Sequence, residues 1–254
     1  MNTSLKPLKW YRELSDKKVR LEMMAFLVEG ERAIGQIMET HPEAIIEIVS
    51  TEEPPKICSR YARRQVTESQ FKYIASTQTP QGILAVVQMP FDTYSDKVPK
   101  DTGDKILLLE DIQDPGNTGT LIRTAAALGF SGAILTGKNA DPFSPKCVQS
   151  TAGAVLSIWL RSSSKYLAMA QTLKEHGFIL AAAEPDGDSG PEVLQGREKL
   201  ILGLGNEGAG LSRGLLELAD YQVKVPTARE KAESLNVAAC GAILIYLSTQ
   251  GSFR

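Results

Sequence analysis

The second half of the chain alternates short apolar runs with longer amphipathic stretches. The apolar runs have the length of buried strands, and the amphipathic stretches have the spacing of helices. Strands are predicted at residues 105–110, 132–136, 155–160, 178–183, 200–204 and 222–225. Helices are predicted at residues 118–128, 145–151, 166–176 and 235–249. Because strands that alternate with helices build a mostly parallel sheet covered on both faces, this half predicts an α/β domain.

The first ninety residues predict a second, smaller α/β unit. Its strands are expected at residues 26–28, 44–50 and 83–88, and its helices at 5–25, 31–40, 56–64 and 67–75. Residues 90–104 are polar and rich in Pro, Asp and Thr, which is typical of an interdomain connection. We therefore expect a first domain at residues 1–90, a linker at 91–104 and a second domain at 105–254.

The composition excludes several classes of protein. The chain has 254 residues, of which 43% are hydrophobic, and a formal net charge of −2. No apolar run approaches the ~20 residues of a membrane helix, and the first residues contain no apolar signal region. Three widely spaced cysteines and two histidines predict neither a metal site nor a disulfide scaffold. A cytoplasmic location with no membrane partner is expected.

Two windows carry an excess of positive charge although the whole chain is nearly neutral. Six basic residues in the first twenty accompany only Glu13 and Asp16, and five between residues 56 and 72 accompany only Glu68. Such patches suit phosphate groups, although an ordinary solvated surface is the alternative. The candidate phosphate contacts are Lys17, Lys18, Arg60, Arg63 and Arg64.

A glycine-rich stretch directly after the strand predicted at 200–204 has the character of a ligand-binding loop. It contains an amide and a carboxylate among glycines: Gly203, Gly205, Asn206, Glu207, Gly208 and Gly210. Glycine allows the backbone to turn sharply or to approach a ligand closely, and a helix is predicted to follow. The spacing G-x-G-x-x-G also fits a dinucleotide-binding loop, but no acidic residue ends a following strand at the usual offset of about 20 residues.

Two further loops follow strands and lead into helices. The first precedes the helix predicted at 118–128, where Asn117 and Thr118 are expected caps and Arg123 lies in the first two turns. The second precedes the helix predicted at 235–249, with Ser234 as the expected cap and Asn236 in the first turn. In α/β sheets ligands bind beyond the carboxyl ends of the strands, which is where these loops begin. The alternatives are a surface arginine and an ordinary capped helix.

Taken together, the three loops resemble the motifs of one protein family. The pattern N-x5-R-x-A-x-x-x-G runs from Asn117 to Gly129, G-N-E-G-x-G-L-S from Gly205 to Ser212, and S-L-N-V-A from Ser234 to Ala238. They are similar to the three motifs of the SpoU (TrmH) class of SPOUT RNA 2′-O-ribose methyltransferases. Residues 26–30 and 81–85 more weakly resemble that family's RNA-substrate domain, although Pro80 stands where many relatives have histidine.

The resemblance implies a fold, a cofactor and a partner. The second domain would be an α/β SPOUT domain with a mostly parallel sheet and a deep trefoil knot. It would follow a small ribosomal-protein-like (L30e-like) α/β domain, and the protein would form a homodimer through its C-terminal domain. The cofactor would be S-adenosylmethionine, and the partner would be RNA, with 23S rRNA expected first and tRNA second. The alternatives are a non-catalytic RNA-binding protein and a nucleotide-dependent oxidoreductase.

The resemblance also assigns residues to roles. The reaction site would consist of Asn117, Arg123, Glu207, Ser234 and Asn236. The cofactor would contact Thr136, Gly203, Leu204, Gly205, Val225, Pro226 and Leu235. RNA would contact Lys17, Lys18, Arg60, Arg63, Arg64 and Gln81. In the family the residue at the position of Arg123 is proposed to help remove the hydroxyl proton. Because arginine is a poor base, we expect Arg123 chiefly to grip a phosphate and stabilise the developing alkoxide, with direct proton removal secondary. Asn117 and Glu207 would hold its orientation.

Overall fold

The computed structural model describes residues 6–228, 230–231 and 234–250. The chain forms two compact units by contact, Met1–Phe91 with Asp141–Ser157 and Asp92–Ala140 with Ile158–Arg254. This grouping differs from the expected domain boundaries in two segments, because residues 141–157 pack with the first unit and residues 92–104 belong to the second. Among the described residues, no helix has both the length and the apolar character needed to cross a bilayer.

Strands and helices alternate along the described chain. The strands are β1 (Ala25–Glu29), β2 (Ile45–Ser50), β3 (Ala62–Gln65), β4 (Ile83–Gln88), β5 (Lys105–Leu109), β6 (Gly132–Leu135), β7 (Trp159–Ser162), β8 (Ile179–Ala183), β9 (Leu200–Leu204) and β10 (Tyr221–Val223). The helices are α1 (Leu8–Glu13), α2 (Lys17–Met23), α3 (Glu31–Thr40), α4 (Glu68–Ile74), α5 (Pro115–Ala127), α6 (Pro145–Thr151), α7 (Tyr166–Glu175), α8 (Arg213–Leu218) and α9 (Val237–Ser248).

The first unit is built on a four-stranded sheet in the order β1-β4-β2-β3. Strand β4 is antiparallel to both neighbours and buried along most of its length, so it forms the centre of this unit. The phenol of Tyr11 on α1 is buried and donates a hydrogen bond to Glu47 on β2 at 2.8 Å. Burial raises the pKa of Tyr11 to about 12, because the charged phenolate would be poorly solvated there.

Three elements of this unit and its neighbouring segment differ from the sequence prediction. The helix expected at 5–25 is broken, because Asp16 caps α2 by accepting from the amide of Lys18 at 2.7 Å. The helix expected at 56–64 ends as a 3-10 turn at Arg60, and β3 follows as an edge strand parallel to β2. The strand expected at 155–160 is replaced by a 3-10 turn at Ala154–Leu156 and by the later strand β7. In the first two regions a local cap and a non-local strand pairing override the local pattern.

The second unit contains the mostly parallel sheet that the sequence predicted. Its six strands are all parallel and lie in the order β10-β8-β9-β5-β6-β7. One face packs against α7 and α8 through a core that includes Leu108, Leu173 and Leu215. Helices α5 and α9 pack against each other beside β9. The central strands β5 and β9 are fully buried, so the loops after them are held by a rigid base.

The polar segment at 92–104 is bonded to β7 rather than extending freely. The buried guanidinium of Arg161 pairs with Asp92 and donates to the carbonyl of Lys97 at 2.9 Å. The indole of Trp159 donates to the carbonyl of Thr102 at 3.0 Å. These bonds make the expected linker part of the second unit.

Candidate active site

Three polar side chains from distant parts of the sequence meet in the second unit. The amide of Asn117 on α5 donates to Glu207 Oε1 at 3.0 Å, and the amide of Asn236 donates to the same oxygen at 2.7 Å. Asn236 also donates to Asn117 Oδ1 at 3.2 Å, which closes a triangle of hydrogen bonds. A carboxylate that accepts several bonds is well suited to hold loops together, since bonds to an ionised acceptor are the stronger kind.

The two helices that enter this site are capped by residues other than those predicted. Helix α5 is capped by Asp114, which accepts from the amide of Asn117 at 2.9 Å, so the expected capping by Asn117 and Thr118 is wrong. Helix α9 is capped by Asn236, which accepts from the amides of Ala238 and Ala239, so the expected cap at Ser234 is also wrong. Asp and Asn accept such bonds as well as Ser, and the residue nearest the first helical turn takes the role.

The glycine-rich loop after β9 is fixed by Asn206. Its side-chain oxygen accepts from the amides of Gly208 and Ala209 at 2.9 and 3.0 Å, and its amide donates to the carbonyl of Asp111 at 2.9 Å. Asp111 follows β5 with a φ of 58°, a left-handed conformation that is costly for a residue other than glycine. The hydrogen bonds around Asp111 maintain its strained conformation. The bonds of Asn206 also fix the position of Glu207, which is the next residue of the loop.

Thr136, directly after β6, holds Asp111 in place through two hydrogen bonds. Its hydroxyl donates to Asp111 Oδ1 at 2.5 Å and accepts from the backbone amide of Asp111 at 2.9 Å. The side chain is 4% exposed. Thr136 therefore acts on the loop by positioning Asp111.

A cavity of about 330 Å³ lies against the glycine-rich loop. Four of the expected cofactor contacts line it, namely Leu204, Gly205, Val225 and Leu235. Glu207 and Ser234 from the expected reaction site line it as well. Gly203, Thr136 and Pro226 are not among its lining residues. The cavity is therefore shared by the loops after β9 and β10.

Two carboxylates and a thiol that were not among the expected site residues line the same cavity. Glu184 and Asp186 follow β8, and Glu184 accepts from the amide of Leu211 at 3.3 Å. The rule that ligands bind beyond the carboxyl ends of parallel strands applies to β8 too and could have found them. Cys240 lines the cavity from α9, and burial raises the pKa of its thiol.

Gly205 is the position in this loop where no side chain fits. A Cβ atom built there would lie 2.6 Å from the carbonyl carbon and oxygen of Gly210 and 2.8 Å from the amide nitrogen of Leu211. Gly210 has a φ of 68° and bridges back to Asn206. The loop therefore folds against its own backbone, which leaves no space for a side chain at position 205.

Arg123 stands apart from the three polar side chains. It is exposed on α5, and within the described residues it forms no hydrogen bond or ion pair. The expectation that Asn117 and Glu207 orient it is therefore wrong for this structure. Six residues along a helix correspond to about 9 Å of rise and to a rotation of roughly 120° from the starting face. The helix separates Arg123 from the side chain that was expected to hold it.

The expected RNA contacts in the first unit have different surroundings. Arg63 is exposed and pairs with Glu53 at 2.8 Å, whereas Arg64 donates to the carbonyl of Lys6 and lies over the ring of Tyr11. Because neighbours on a strand point to opposite faces, β3 separates these two charges. Lys18 on α2 is exposed and forms an ion pair with Glu22 at 4.0 Å. The remaining candidates, Lys17, Arg60 and Gln81, are also exposed.

Comparison with known proteins identifies the family. Residues 104–246 match the model of the SpoU rRNA Methylase family, and residues 6–85 match the MRM3-like substrate binding domain. The chain is 35% identical to the 23S rRNA (guanosine(2553)-2′-O)-methyltransferase RlmP of Bacillus subtilis (strain 168), over 94% of each protein.

Solved structures agree over nearly the whole chain. The SpoU methyltransferase AviRb from Streptomyces viridochromogenes, in complex with the cofactor AdoMet, superposes with a TM-score of 0.83 at 26% identity, covering 96% of this chain and 97% of that one. An AdoMet-bound rRNA methyltransferase from Sinorhizobium meliloti also reaches 0.83, at 28% identity and 99% and 98% coverage. With the three converging loops, these matches show that the chain belongs to the SpoU rRNA methylase family.

Proposed function

We propose that this protein transfers the methyl group of S-adenosylmethionine to a ribose 2′-hydroxyl of ribosomal RNA. The observation that carries the proposal is the meeting of Asn117, Glu207 and Asn236 beside a cavity bounded by the glycine-rich loop. The Bacillus relative is named for the same reaction on 23S rRNA, which makes that RNA the first candidate and tRNA the second. The proposed location of the reaction is the cytoplasm.

The cavity has the features that S-adenosylmethionine requires. Leu204, Val225 and Leu235 supply apolar surface for an adenine ring, and Gly205 lines the cavity beside them. Glu184 and Asp186 offer carboxylates to the hydroxyl and ammonium groups of such a ligand. When bound, the cofactor supplies a methyl group activated by a positively charged sulfur.

The residues of the chain align the acceptor and stabilise its ionised form, while the hydroxyl proton is released to solvent. Asn117, Glu207 and Asn236 fix the two helix entrances relative to the glycine-rich loop, which lowers the entropic cost of alignment. Ser234 is exposed on the cavity wall beside them. Arg123 is free of other partners in the described chain and holds an RNA phosphate, where its charge stabilises the alkoxide that forms as the hydroxyl loses its proton.

Methyl transfer to defined RNA tests this function. Purified protein is incubated with methyl-labelled S-adenosylmethionine and with ribosomal RNA from cells that lack the gene, and ribose methylation is mapped along the RNA. We expect label at one or a few 2′-oxygens. RNA binding without cofactor binding would favour a non-catalytic RNA-binding protein. Binding of NAD in place of S-adenosylmethionine would favour the oxidoreductase alternative.

The knot and the ribosomal-protein-like domain belong to the same proposal. Helix α9 returns from edge strand β10 to pack against α5, and Lys105 at the start of β5 donates to the carbonyl of Ser248 at 2.5 Å. A trefoil knot requires the end of the chain to pass through a loop formed earlier, and we propose that the segment containing α9 does so. For the first domain, the support is the four-stranded sheet with its helices and the match of residues 6–85 to a substrate-binding domain.

The surface of α9 supports the proposed homodimer. The helix is apolar around its circumference, and Ala239, Ile243 and Tyr246 form an exposed stripe at intervals of four and three residues. Ile243 is 39% and Tyr246 57% exposed. A helix that is apolar on every side is normally buried, so a second copy of the chain is the proposed cover.

Labelling of Cys240 reports whether the cofactor occupies the cavity. Because burial raises the pKa of this thiol, its thiolate forms only at a higher pH than that of an ordinary cysteine. We therefore expect slow alkylation by iodoacetamide near neutral pH, faster alkylation as the pH rises, and suppression by saturating S-adenosylmethionine. Peptide mass spectrometry measures the rate. Cys58 and Cys147, buried in the first unit, are the internal control, and equal suppression at all three would contradict cavity occupancy.

Neutralising basic residues of the first unit tests the RNA contacts. Glutamine substitutions at Lys17, Lys18, Arg60, Arg63 and Arg64 are expected to weaken RNA binding, and each true phosphate contact should lower the slope of log affinity against log salt by about 0.7 to 0.9. Gln81→Ala should weaken binding without changing this slope. Fluorescence anisotropy over a salt series measures both. Lys100→Gln, an exposed site in the second unit, is the control, and unchanged slopes in all variants would refute these contacts.

A further inference from the structure

The first unit contains a groove that none of the expected RNA contacts lines. Its volume is about 440 Å³, and it is bounded by residues of α1, α4 and the segment after α4. The lining residues are Arg12, Ser15, Leu27, Lys72, Tyr73, Ile74, Ala75, Ser76 and Pro145. Two of them are basic and none is acidic, so the charge of the lining is positive even with Glu29 accepting from the hydroxyl of Ser76 at 3.2 Å.

An exposed aromatic ring and a guanidinium face each other in this groove. Helix α4 buries Phe71 and Ile74 in the core, which turns Lys72 and Tyr73 outward. The ring of Tyr73 is 42% exposed, and the guanidinium carbon of Arg12 lies 4.8 Å from its centroid. The groove therefore holds a partly exposed aromatic ring with a positive charge beside it.

The two cations of the groove are available for a ligand. Within the described chain, neither Arg12 nor Lys72 forms a side-chain hydrogen bond or an ion pair. By contrast, Lys9 pairs with Glu13 at 3.2 Å and Arg63 pairs with Glu53 at 2.8 Å. The groove thus combines unneutralised positive charge with an aromatic face, which is the combination that binds single-stranded nucleic acid.

We propose that this groove binds an unpaired nucleotide of the substrate RNA, a proposal that rests on the proposed function of the protein. The base stacks on the plane of Arg12 and Tyr73, and Lys72 and Arg12 hold the adjoining phosphates. Paired bases are stacked within a helix and cannot offer a face, so the groove selects single-stranded over double-stranded RNA. The groove thus adds to the RNA contacts proposed for the first unit a contact that is specific for unpaired nucleotides.

The test uses the full chain and a fluorescent oligoadenylate, with an RNA duplex of the same length for comparison. Tyr73→Ala is expected to lower affinity for the oligoadenylate by roughly 5- to 150-fold, the effect of losing one stacked base, and to leave duplex binding unchanged. Tyr73→Phe keeps the ring and should bind as the parent does. Arg12→Gln and Lys72→Gln should each lower the salt slope by about 0.7. Phe91→Ala, which removes an aromatic ring that is 90% exposed elsewhere, is the control.

The outcomes separate this proposal from the proposed function. Parent-like oligoadenylate binding by Tyr73→Ala, with unchanged slopes in the two charge variants, overturns the groove whether or not the protein methylates RNA. Equal losses for the oligoadenylate and the duplex overturn its preference for unpaired nucleotides. S-adenosylmethionine binding by calorimetry should be unaffected in every variant. If the parent protein does not bind S-adenosylmethionine, the proposed methyltransferase function is refuted. The oligoadenylate affinities then still test the groove.

Discussion

Gly205→Ala is expected to remove S-adenosylmethionine binding and methyl transfer together. The added Cβ would meet the carbonyl of Gly210 at 2.6 Å and the amide of Leu211 at 2.8 Å. All of these are backbone atoms, which cannot rotate away as a side chain can. The loop must shift to admit the methyl group, and the shift displaces Glu207 from Asn117 and Asn236. Overpacking of this kind typically costs about 1 to 3 kcal/mol, so we expect cofactor affinity to fall by about tenfold or more.

Gly208→Ala is the matched control for this variant. The same methyl group at position 208 would have Asn206 Oδ1 as its nearest neighbour at 3.5 Å, an ordinary contact. Cofactor affinity should therefore stay close to that of the parent. Calorimetric titration with S-adenosylmethionine measures both variants, and urea unfolding shows whether either loses stability. Similar losses in the two would mean that loop flexibility, rather than crowding at Gly205, determines binding.

The parts of the fold that depend on local sequence could be predicted. Strand β9, strand β4 and helices α3 and α6 lie at the expected residues, because apolar period and turn residues define them without help from the rest of the chain. The parallel sheet followed from the alternation of these elements. The site followed in the same way, since loops after parallel strands lie at one edge of a sheet.

The parts that depend on distant contacts could not be predicted. Strand β3 looks helical in isolation and becomes a strand because β2 offers it a partner. Residues 141–157 follow β6 in sequence yet pack with the first unit, where Asp141 forms a buried ion pair with Arg20 at 2.6 Å. Nothing in the local pattern signals that pairing across more than a hundred residues.

The sequence also did not show which of several polar residues caps a helix. Ser234 and Asn236 are both suitable caps, and the register of α9 decides between them in favour of Asn236. The same residue thereby gains a fixed side chain that reaches Glu207. The position of Asn236 thus both caps α9 and connects this helix to the glycine-rich loop.

Arg123→Ala is expected to abolish methyl transfer and to leave cofactor binding nearly intact. Arg123 is exposed on α5, does not line the cavity, and has no bond to Asn117, Glu207 or Asn236 within the described residues, so its loss leaves the cavity and the triangle of polar side chains in place. If it stabilises the alkoxide, the rate of methyl transfer should fall by roughly a hundredfold or more. Transfer of labelled methyl to RNA measures the rate, and calorimetry measures cofactor affinity.

Two further variants decide what Arg123 does. Arg123→Lys keeps the charge but cannot bind a phosphate through two parallel hydrogen bonds, so partial activity would indicate a purely electrostatic role and near-complete loss a clamp with fixed geometry. Arg213→Ala removes an exposed guanidinium of the same unit that pairs with Glu217 at 2.6 Å, and it should retain the parent rate. Full activity in Arg123→Ala would exclude Arg123 from the reaction. Because the side chain of Arg123 forms no hydrogen bond or ion pair with the described residues, we expect any loss to come from its contact with the substrate.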